Sequence, residues 1–287
     1  MSDQSIFRFN TVKDEQNCKP TLLMIHGFGG SAVLMYPVYR QLLEHFRIIA
    51  IDMLGFGASS RVTLSDAVLN SASACENYHI SWLSCWLNKM TLNQEMPDKF
   101  YLSGHSYGGF ISSLFACAHP ERISALFLNS AIGAEPEPAE YDRMNIRLSS
   151  NDTGPQPKIL QRFWLSQWEK KRTPMDIARK LPDFILNHVQ DKIIRGDYAG
   201  FPARHREIVR RYYSAQFKLG SSGTERTITA SFKFGCYAHH RLTEADRLGD
   251  PNLPFPVAFC FGDQDWLGTD GADTIVRRSK FFEAGIS

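Results

Sequence analysis

Residues 100–109 read FYLSGHSYGG, and this stretch decides the fold. Its first four residues, FYLS, form a short apolar run that is typical of a buried strand. The glycine-rich turn GHSYGG follows, and residues 110–118 then have a helix-like pattern. A strand that passes through a tight turn directly into a helix is typical of a parallel α/β sheet.

Four other apolar runs repeat the strand pattern. They are TLLMIH (21–26), RIIAID (47–52), ALFL (125–128) and FPVAFCF (255–261). All are continuous rather than alternating, as expected for strands that are covered on both faces. Further helix-like stretches lie between these runs, at 36–45 and 78–90. We therefore predict an α/β fold with a mostly parallel sheet and helices on both faces.

The alternation of strands and helices stops between residues 133 and 249. We therefore predict a first core part at 1–132, an inserted helical cap at 133–249 and a second core part at 250–287. The cap has 20 Lys or Arg against 14 Asp or Glu, a net charge of +6, which leaves −4 for the rest. This basic excess fits a solvated helical lid, and it also fits a surface that meets phosphate headgroups or an anionic membrane.

The overall composition excludes several classes of protein. The 287 residues are 43% hydrophobic and 22% charged with a net charge of +2, so neither wholesale disorder nor dedicated nucleic-acid binding is expected. The N-terminal sequence lacks a signal-peptide pattern, no apolar run reaches the about 20 residues that span a bilayer, and the six cysteines show no zinc spacing. We expect a cytoplasmic protein with reduced thiols, and peripheral membrane contact stays open.

The turn at 104–108, GHSYG, fits the pattern G-x-S-x-G of a nucleophile placed between a strand and a helix. Such an elbow needs a strained backbone and a close approach of the two elements, which Gly104 and Gly108 allow because they lack a Cβ. Ser106 would then present its hydroxyl beside the N-terminal amides of the helix. We predict Ser106 as a catalytic nucleophile.

A second motif, HGFGG at 26–30, follows the first predicted strand. In acyl transfer, negative charge develops on the former carbonyl oxygen, which needs backbone N–H donors. The turn after Gly27 and the position after the nucleophile supply such donors, so we predict the amides of Phe28 and Tyr107 as an oxyanion hole. His26 lies at this turn and not at the position of a base, so we interpret it as a structural residue.

A third motif, FGDQDWLG at 261–268, places two carboxylates just after a late strand. A carboxylate at this position suits the role of orienting a histidine. Asp265 is the better candidate, and Asp263 is the alternative that we expect to cap the turn. Both also fit ordinary Asx-turn chemistry.

With these motifs, the chain resembles the α/β-hydrolase fold superfamily and, more narrowly, its ABHD4/ABHD5-like branch of lipid hydrolases. The resemblance is carried by TLLMIHGFGGSAVLMYPVYRQLL (21–43), FRIIAIDMLGFGASSR (46–61), FYLSGHSYGGFISSLFACAHPERISALFLNSAIG (100–133) and FPVAFCFGDQDWLG (255–268), and loosely by the cap end FGCYAHHRLTEADRL (234–248). It implies activity on acyl-lipid esters or amides, as a lysophospholipase, an N-acyl-phospholipid lipase or a lysophosphatidic-acid acyltransferase. It also implies inactive co-activators, which lack the nucleophile serine; Ser106 is present here.

The sequence departs from this family at the catalytic histidine. The resemblance implies a histidine after the acid, usually in a motif H-x-x-x-x-D to which acyltransferase activity is attributed. No histidine follows Asp265, and none of the nine histidines fits that motif. His239 and His240 precede the acid, and we interpret His105 as a packing residue that points away from Ser106. We therefore expect that the sequence is truncated and that the last strand and helix of the fold are missing.

Three hypotheses for the function follow. The first is a serine hydrolase of acyl-lipid esters or amides, with Ser106 as nucleophile and Asp265 as acid, a mechanism that needs no metal or organic cofactor. The second is an acyltransferase of the same fold that passes the acyl group to a lysophospholipid. The third is a non-catalytic protein that binds lipid surfaces or regulates a lipase. All three predict an acyl lipid as partner and leave open a peripheral contact with membranes or lipid droplets.

Overall fold

The computed structural model describes residues 19–138, 158–196, 198–220, 222–263 and 265–281. Within these ranges the chain forms the strands β1 (Thr21–Ile25), β2 (Arg47–Ile51), β3 (Phe100–His105), β4 (Ile123–Asn129), β5 (Phe232–Lys233), β6 (Tyr237–Ala238) and β7 (Val257–Cys260). Five of them make one sheet in the order β2–β1–β3–β4–β7, and every neighbouring pair is parallel. Each predicted apolar run overlaps one of these five strands, so the predicted parallel sheet is confirmed.

The helices of the described residues are α1 (Tyr36–Leu42), α2 (Asp66–Leu69), α3 (Ala72–Leu92), α4 (Tyr107–Ala118), α5 (Lys158–Glu169), α6 (Pro174–Ala178), α7 (Asp183–Gly196), α8 (Ala203–Lys218), α9 (Gly223–Ser231) and α10 (Asp270–Arg278). Among them, none has both the length and the apolar character needed to cross a membrane. The helix-like stretches at 36–45, 78–90 and 110–118 correspond to α1, α3 and α4. The sequence therefore places these three helices correctly and misses some of their ends.

The ends differ because local hydrogen bonds set them. The helix α3 begins at Ala72, six residues before the predicted start, because the Ser71 side chain accepts the N–H of Ala74 at 3.2 Å and caps the helix. The helix α4 begins directly after Ser106, whose carbonyl already accepts the N–H of Phe110 at 3.2 Å. No apolar periodicity marks either start.

The two faces of the sheet pack against different helices. In β1, Leu23 and Ile25 belong to a large core that contains Leu83 of α3 and other side chains from α3 and α4. The alternate residues, Leu22 and Met24, join a smaller cluster against α1 on the opposite face. Successive side chains of a strand point to opposite faces, so both faces of this sheet are covered by helices, as predicted.

The helices α5 to α9 and the antiparallel hairpin β5–β6 lie between β4 and β7. They fall within the predicted cap, whose boundaries stay a prediction. The start of α9 contacts the core, because the Gly223 N–H donates to the Val62 carbonyl at 2.7 Å. After β7 the described residues continue into α10, and residues 282–287 lie outside the described ranges.

Candidate active site

Ser106 lies in the sharp turn between β3 and α4. Its φ is 51° and its ψ is −118°, a conformation that a residue with a Cβ adopts only under strain. Its N–H donates to the carbonyl of Asn129, the last residue of β4, at 3.0 Å, and its carbonyl accepts the N–H of Phe110. The neighbouring strand and the following helix thus hold the elbow at the carboxyl edge of the sheet, where the sequence places the nucleophile.

Three glycines let the strand, the helix and the HGFGG turn approach one another. A Cβ on Gly108 would lie 2.2 Å from the carbonyl oxygen of His26, and one on Gly104 would lie 2.5 Å from the Gly108 oxygen. A Cβ on Gly27 would lie 3.1 Å from the Cβ of Ser106. The first two distances are too short for any residue but glycine. The glycines that the sequence singles out therefore bring the HGFGG turn against the elbow.

The backbone N–H groups of Phe28 and Tyr107 belong to the two turns that meet at Ser106. Within the described residues, neither group donates a hydrogen bond. The aromatic rings of the two residues contact each other edge to face, with centroids 6.4 Å apart. Two unused donors beside a serine hydroxyl are the arrangement that an oxyanion hole requires. The structure therefore brings the two predicted residues together, and their role as an oxyanion hole stays a prediction.

His26 is buried beneath the HGFGG turn and holds it in place. Its Nε2 accepts the N–H of Met53 at 3.0 Å, so the proton is on Nδ1, which donates to the Gly27 carbonyl at 2.7 Å. Burial lowers the pKa of His26, and the charge of Asp52 only partly opposes this effect. A neutral imidazole with both nitrogens engaged agrees with the structural role that the sequence predicts.

Asp52 is a supporting residue that the sequence reasoning missed. Its carboxylate is buried and accepts the N–H of Ala32 at 2.7 Å and the N–H of Ala58 at 2.8 Å. These bonds join the loop after β1 to the loop after β2. A Cβ on Gly57 would lie 2.0 Å from Asp52 Oδ2, so glycine is required beside the carboxylate. The only signal in the sequence is an acidic residue directly after a strand.

Asp265 lies in the turn that follows β7. Its Oδ1 accepts the N–H of Leu267 at 3.1 Å, and its own N–H donates to the Gly262 carbonyl at 3.0 Å. Among the described residues, no N–H donates to the exposed Asp263 carboxylate, so the capping role expected of Asp263 falls to Asp265. The protein around His105 lowers the pKa of that residue, and the charge of Asp265 opposes this shift.

The histidines that the sequence offers as alternative bases do not contact the nucleophile. Within the described ranges, none of His105, His239 and His240 makes a hydrogen bond to Ser106. His240 Nδ1 instead lies 3.2 Å from Glu76 Oε1, and His239 is exposed. His105 is the last residue of β3 and lies at the carboxyl edge of the sheet. Its ring lies against the HGFGG turn, since a Cβ on Gly27 would be 2.7 Å from His105 Nδ1, and its interpretation as a packing residue stays a prediction.

Residues 20–270 match the family described as alpha/beta hydrolase fold. The chain is 28% identical over 269 residues to a 1-acylglycerol-3-phosphate O-acyltransferase of Arabidopsis thaliana, a match that covers 92% of this chain and 60% of the relative. It is 32% identical over 127 residues to human 1-acylglycerol-3-phosphate O-acyltransferase ABHD5, which covers 44% of this chain and 34% of that protein. A human (lyso)-N-acylphosphatidylethanolamine lipase is 31% identical over 118 residues, which covers 41% and 32% of the two chains. The chain thus spans less than two thirds of the length of these relatives.

Solved structures agree on the fold. MGS-M2, an alpha/beta hydrolase enzyme from a deep-sea metagenome library, has a TM-score of 0.59 at 13% identity, covering 98% of this chain and 84% of that one. A membrane phospholipase A described as a bacterial virulence factor has a TM-score of 0.55 at 18% identity, with coverages of 96% and 76%. At these identities the likeness shows the fold alone. The curated relatives agree with the resemblance to the ABHD4/ABHD5-like branch, and the chain belongs to the alpha/beta hydrolase fold family.

Proposed function

We propose that the chain processes acyl lipids through an acyl-enzyme on Ser106, with hydrolysis of lipid esters or amides as its reaction. The observation that carries the proposal is the strained Ser106 beside the unused N–H groups of Phe28 and Tyr107. Stabilisation of an oxyanion by such preorganised donors is commonly the largest single contribution to acyl-transfer catalysis. The names of the relatives, acyltransferase and lipase, support a lipid substrate.

In the proposed reaction, Ser106 Oγ attacks the acyl carbonyl carbon, and the C=O electron pair moves onto the oxygen held by the Phe28 and Tyr107 amides. A base takes the serine proton and delivers it to the leaving alcohol or amine as the bond to the acyl carbon breaks. Water then attacks the acyl-serine, and the fatty acid leaves with the serine hydroxyl restored. A histidine oriented by Asp265 is the base that this mechanism requires, and we assign that role to none of the described histidines.

A fluorophosphonate probe tests the nucleophile, because it reacts covalently with activated serine hydroxyls. We expect one adduct, on Ser106, that disappears in Ser106→Ala. It should persist in Ser113→Ala, because Ser113 lies further along α4 and outside the elbow. The reaction is followed by peptide mass spectrometry with and without added imidazole, which can act as an external base. A folded chain that forms no adduct under either condition would refute the proposal.

The acid is tested by the same reaction. Asp265→Asn should slow adduct formation by about tenfold or more, because a triad histidine loses its orienting carboxylate. Asp263→Asn provides the matched control, since this exposed carboxylate lies two residues away in the same turn. Equal rates for the two variants would remove Asp265 from the mechanism.

Acyl transfer to a lysophospholipid is the second candidate, and the names of the plant relative and of human ABHD5 favour it. The two activities share the acyl-enzyme and differ in the acceptor. Free fatty acid and acylated product are measured with and without lysophosphatidic acid. Release of fatty acid without the acceptor supports hydrolysis, and strict dependence on the acceptor supports transfer.

The cap carries the surface on which we propose a peripheral contact of a cytoplasmic protein with membranes or lipid droplets. Ile159 and Phe184 are 80% and 74% exposed, on a segment with a net charge of +6. Exposed apolar side chains on a cationic segment favour binding to anionic lipid surfaces. Vesicles containing phosphatidic acid should retain the chain, and Phe184→Asp should weaken retention.

Leu92→Asp is the matched control for this surface, because Leu92 is 84% exposed on the core helix α3. Equal retention of both variants would place the contact elsewhere. If the chain binds vesicles but forms no serine adduct, the third hypothesis, a non-catalytic lipid-surface protein, replaces the enzyme.

A further inference from the structure

Two side chains of the cap are hydrogen-bonded to the two turns that carry the proposed oxyanion donors. Tyr212 of α8 contacts the turn that contains Phe28, and Thr227 of α9 contacts the side chain of Tyr107. The chain positions involved are more than 100 residues apart in both cases, so only the tertiary fold brings them together.

The first contact joins Tyr212 of the cap to the HGFGG turn of the core. The Tyr212 hydroxyl donates to the Gly30 carbonyl at 2.5 Å and also lies 3.1 Å from the Gly29 carbonyl. Gly29 has a φ of +72°, so this turn is locally bent in a way that favours glycine. Burial raises the pKa of Tyr212, so its hydroxyl keeps the proton and remains a donor. The Gly29 and Gly30 carbonyls that accept from Tyr212 belong to the two residues directly after Phe28.

The second contact is part of a series of hydrogen bonds between side chains. The group at each end can act in only one way, as donor or as acceptor, and this determines which atoms donate in between. At one end the Trp82 indole N–H, which can only donate, points at His79 Nδ1 at 3.1 Å. At the other end the Thr227 hydroxyl donates to the Thr224 carbonyl, which can only accept, at 2.6 Å. His79 therefore carries its proton on Nε2, and the Tyr107 hydroxyl, 2.8 Å from Thr227 Oγ1, donates to that oxygen.

The side chains at the centre of this series of hydrogen bonds are fully buried, whereas Trp82 at its end is half-buried. Tyr107 and Thr227 are both 0% exposed, and His79 is 1% exposed. A donor without its acceptor at such a depth is strongly unfavourable, so the Tyr107 ring is held in one position. Because the Tyr107 backbone N–H is the second proposed donor, fixing the side chain also fixes that N–H.

The Phe28 side chain adds an apolar contact to the same surface. It packs against a small cluster of cap residues that includes Met175 of α6 and Phe217 of α8. Its other side contacts Phe56 of the core, with ring centroids 5.4 Å apart. Phe28 thus lies between the core and the cap, and its position depends on both.

We propose that the cap is part of the oxyanion hole, with Tyr212 and Thr227 as positioning residues that hold the Phe28 and Tyr107 amides against Ser106. The inference rests on the proposed acyl-enzyme at Ser106. It follows that a displacement of α8 would release the turn that carries the Phe28 amide, and a displacement of α9 would release Tyr107. The elbow therefore reaches its full reactivity only when both helices of the cap are in place.

The test uses the rate of fluorophosphonate labelling of Ser106 as a function of probe concentration, which separates probe binding from the covalent step. Tyr212→Phe and Thr227→Val should each lower the rate constant of the covalent step by about tenfold. The expected effect is smaller than the reduction in kcat of about a hundredfold or more that follows complete removal of one oxyanion donor. The half-saturating probe concentration should stay within about twofold, because ground-state contacts are unchanged. Thr227→Ser, which keeps the hydroxyl, should restore the rate.

Thr229→Val is the matched control. Thr229 also lies buried on α9, and its hydroxyl also donates to a carbonyl three residues earlier, that of Arg226 at 2.7 Å. Among the described residues its hydroxyl makes no hydrogen bond to Tyr107, so this variant should react like wild type. If wild type and Thr229→Val label and the two test variants label equally fast, the inference is wrong. If neither wild type nor Thr229→Val labels, the acyl-enzyme proposal itself fails.

Discussion

The guanidinium of Arg179 donates two hydrogen bonds to the carboxylate of Glu225, at 2.6 and 2.5 Å. Arg179 directly follows α6 and Glu225 lies in the first turn of α9, so this pair joins two elements of the cap. Both side chains are buried, with 10% and 1% exposed. Glu225 lies on the same helix as Thr227, so the position of α9 depends in part on this pair.

Glu225→Gln should destabilise the chain by about 3 kcal/mol, because it removes the hydrogen-bonded carboxylate and leaves the buried Arg179 charge with Asp176, 3.9 Å away. Glu207→Gln is the control, since Glu207 pairs with Arg211 at 2.8 Å on an exposed face of α8. The exposed pair should contribute no more than about 0.5 kcal/mol. The free energies of unfolding in urea are measured for both variants. Equal decreases would show that the buried pair stabilises the fold no more than the exposed pair does.

Gly108→Ala should destabilise the fold by about 3 kcal/mol or more, because the new Cβ would overlap the His26 carbonyl oxygen and force α4 away from the turn. Serine labelling should fall with it, since the elbow and the oxyanion turn separate. Gly200→Ala is the control: no atom lies within 4 Å of the added Cβ. That variant should change the free energy of unfolding by less than about 1 kcal/mol. A tolerated alanine at 108 would mean that the close approach is not required.

Asp52→Asn should destabilise the chain by about 2 kcal/mol, because an amide that replaces either carboxylate oxygen presents donors to a backbone N–H. The loops after β1 and β2 would then lose one of the two hydrogen bonds that the Asp52 carboxylate accepts from them. Labelling of Ser106 should become slower as a result. Asp263→Asn, on an exposed carboxylate, should leave the free energy of unfolding unchanged. Unfolding in urea measures both, and a neutral Asp52→Asn would show that the loops are held by other contacts.

The sheet and the elbow could be predicted because their signals are local. Continuous apolar runs marked all five strands of the sheet, and the glycines of G-x-S-x-G marked the turn at Ser106. The supports of the site could not be predicted, because they depend on contacts between distant segments. Asp52 acts only where two loops meet, and Tyr212 only where α8 reaches the HGFGG turn. Nothing near His79 in the sequence indicates that it is bonded to Thr227, which lies 148 positions later.

The role of His105 shows the same limit. Nothing in the sequence indicates where β3 ends relative to the covering elements, so the surroundings of a histidine beside the serine motif cannot be predicted. The structure ends β3 at His105, which leaves the side chain at the edge of the sheet. Likewise, the spacing of two aspartates did not decide which one closes the turn; the backbone N–H of Leu267 meets Asp265.

His79 should make the stability of the fold depend on pH. Burial lowers its pKa to about 3, whereas an unfolded chain has a histidine pKa near 6.5. Below pH 6.5 the unfolded state therefore takes up a proton that the native state does not, and the native state loses about 1.4 kcal/mol for each pH unit until the pH approaches the native pKa. Between pH 6.5 and 5.0 the loss from this residue is about 2 kcal/mol.

His79→Gln should remove this part of the pH dependence, because glutamine does not titrate. The free energy of unfolding in urea, measured at pH 6.5 and 5.0, should fall by about 2 kcal/mol less in His79→Gln than in wild type, even though the variant is less stable at both pH values. His45→Gln, at an exposed position, should keep the wild-type difference. Other buried histidines such as His26 contribute equally to all three proteins and cancel in the comparison. If His79→Gln loses as much stability on acidification as wild type, then His79 is not held neutral in the native fold, and the direction assigned to the hydrogen bonds from Trp82 to Thr224 is incorrect.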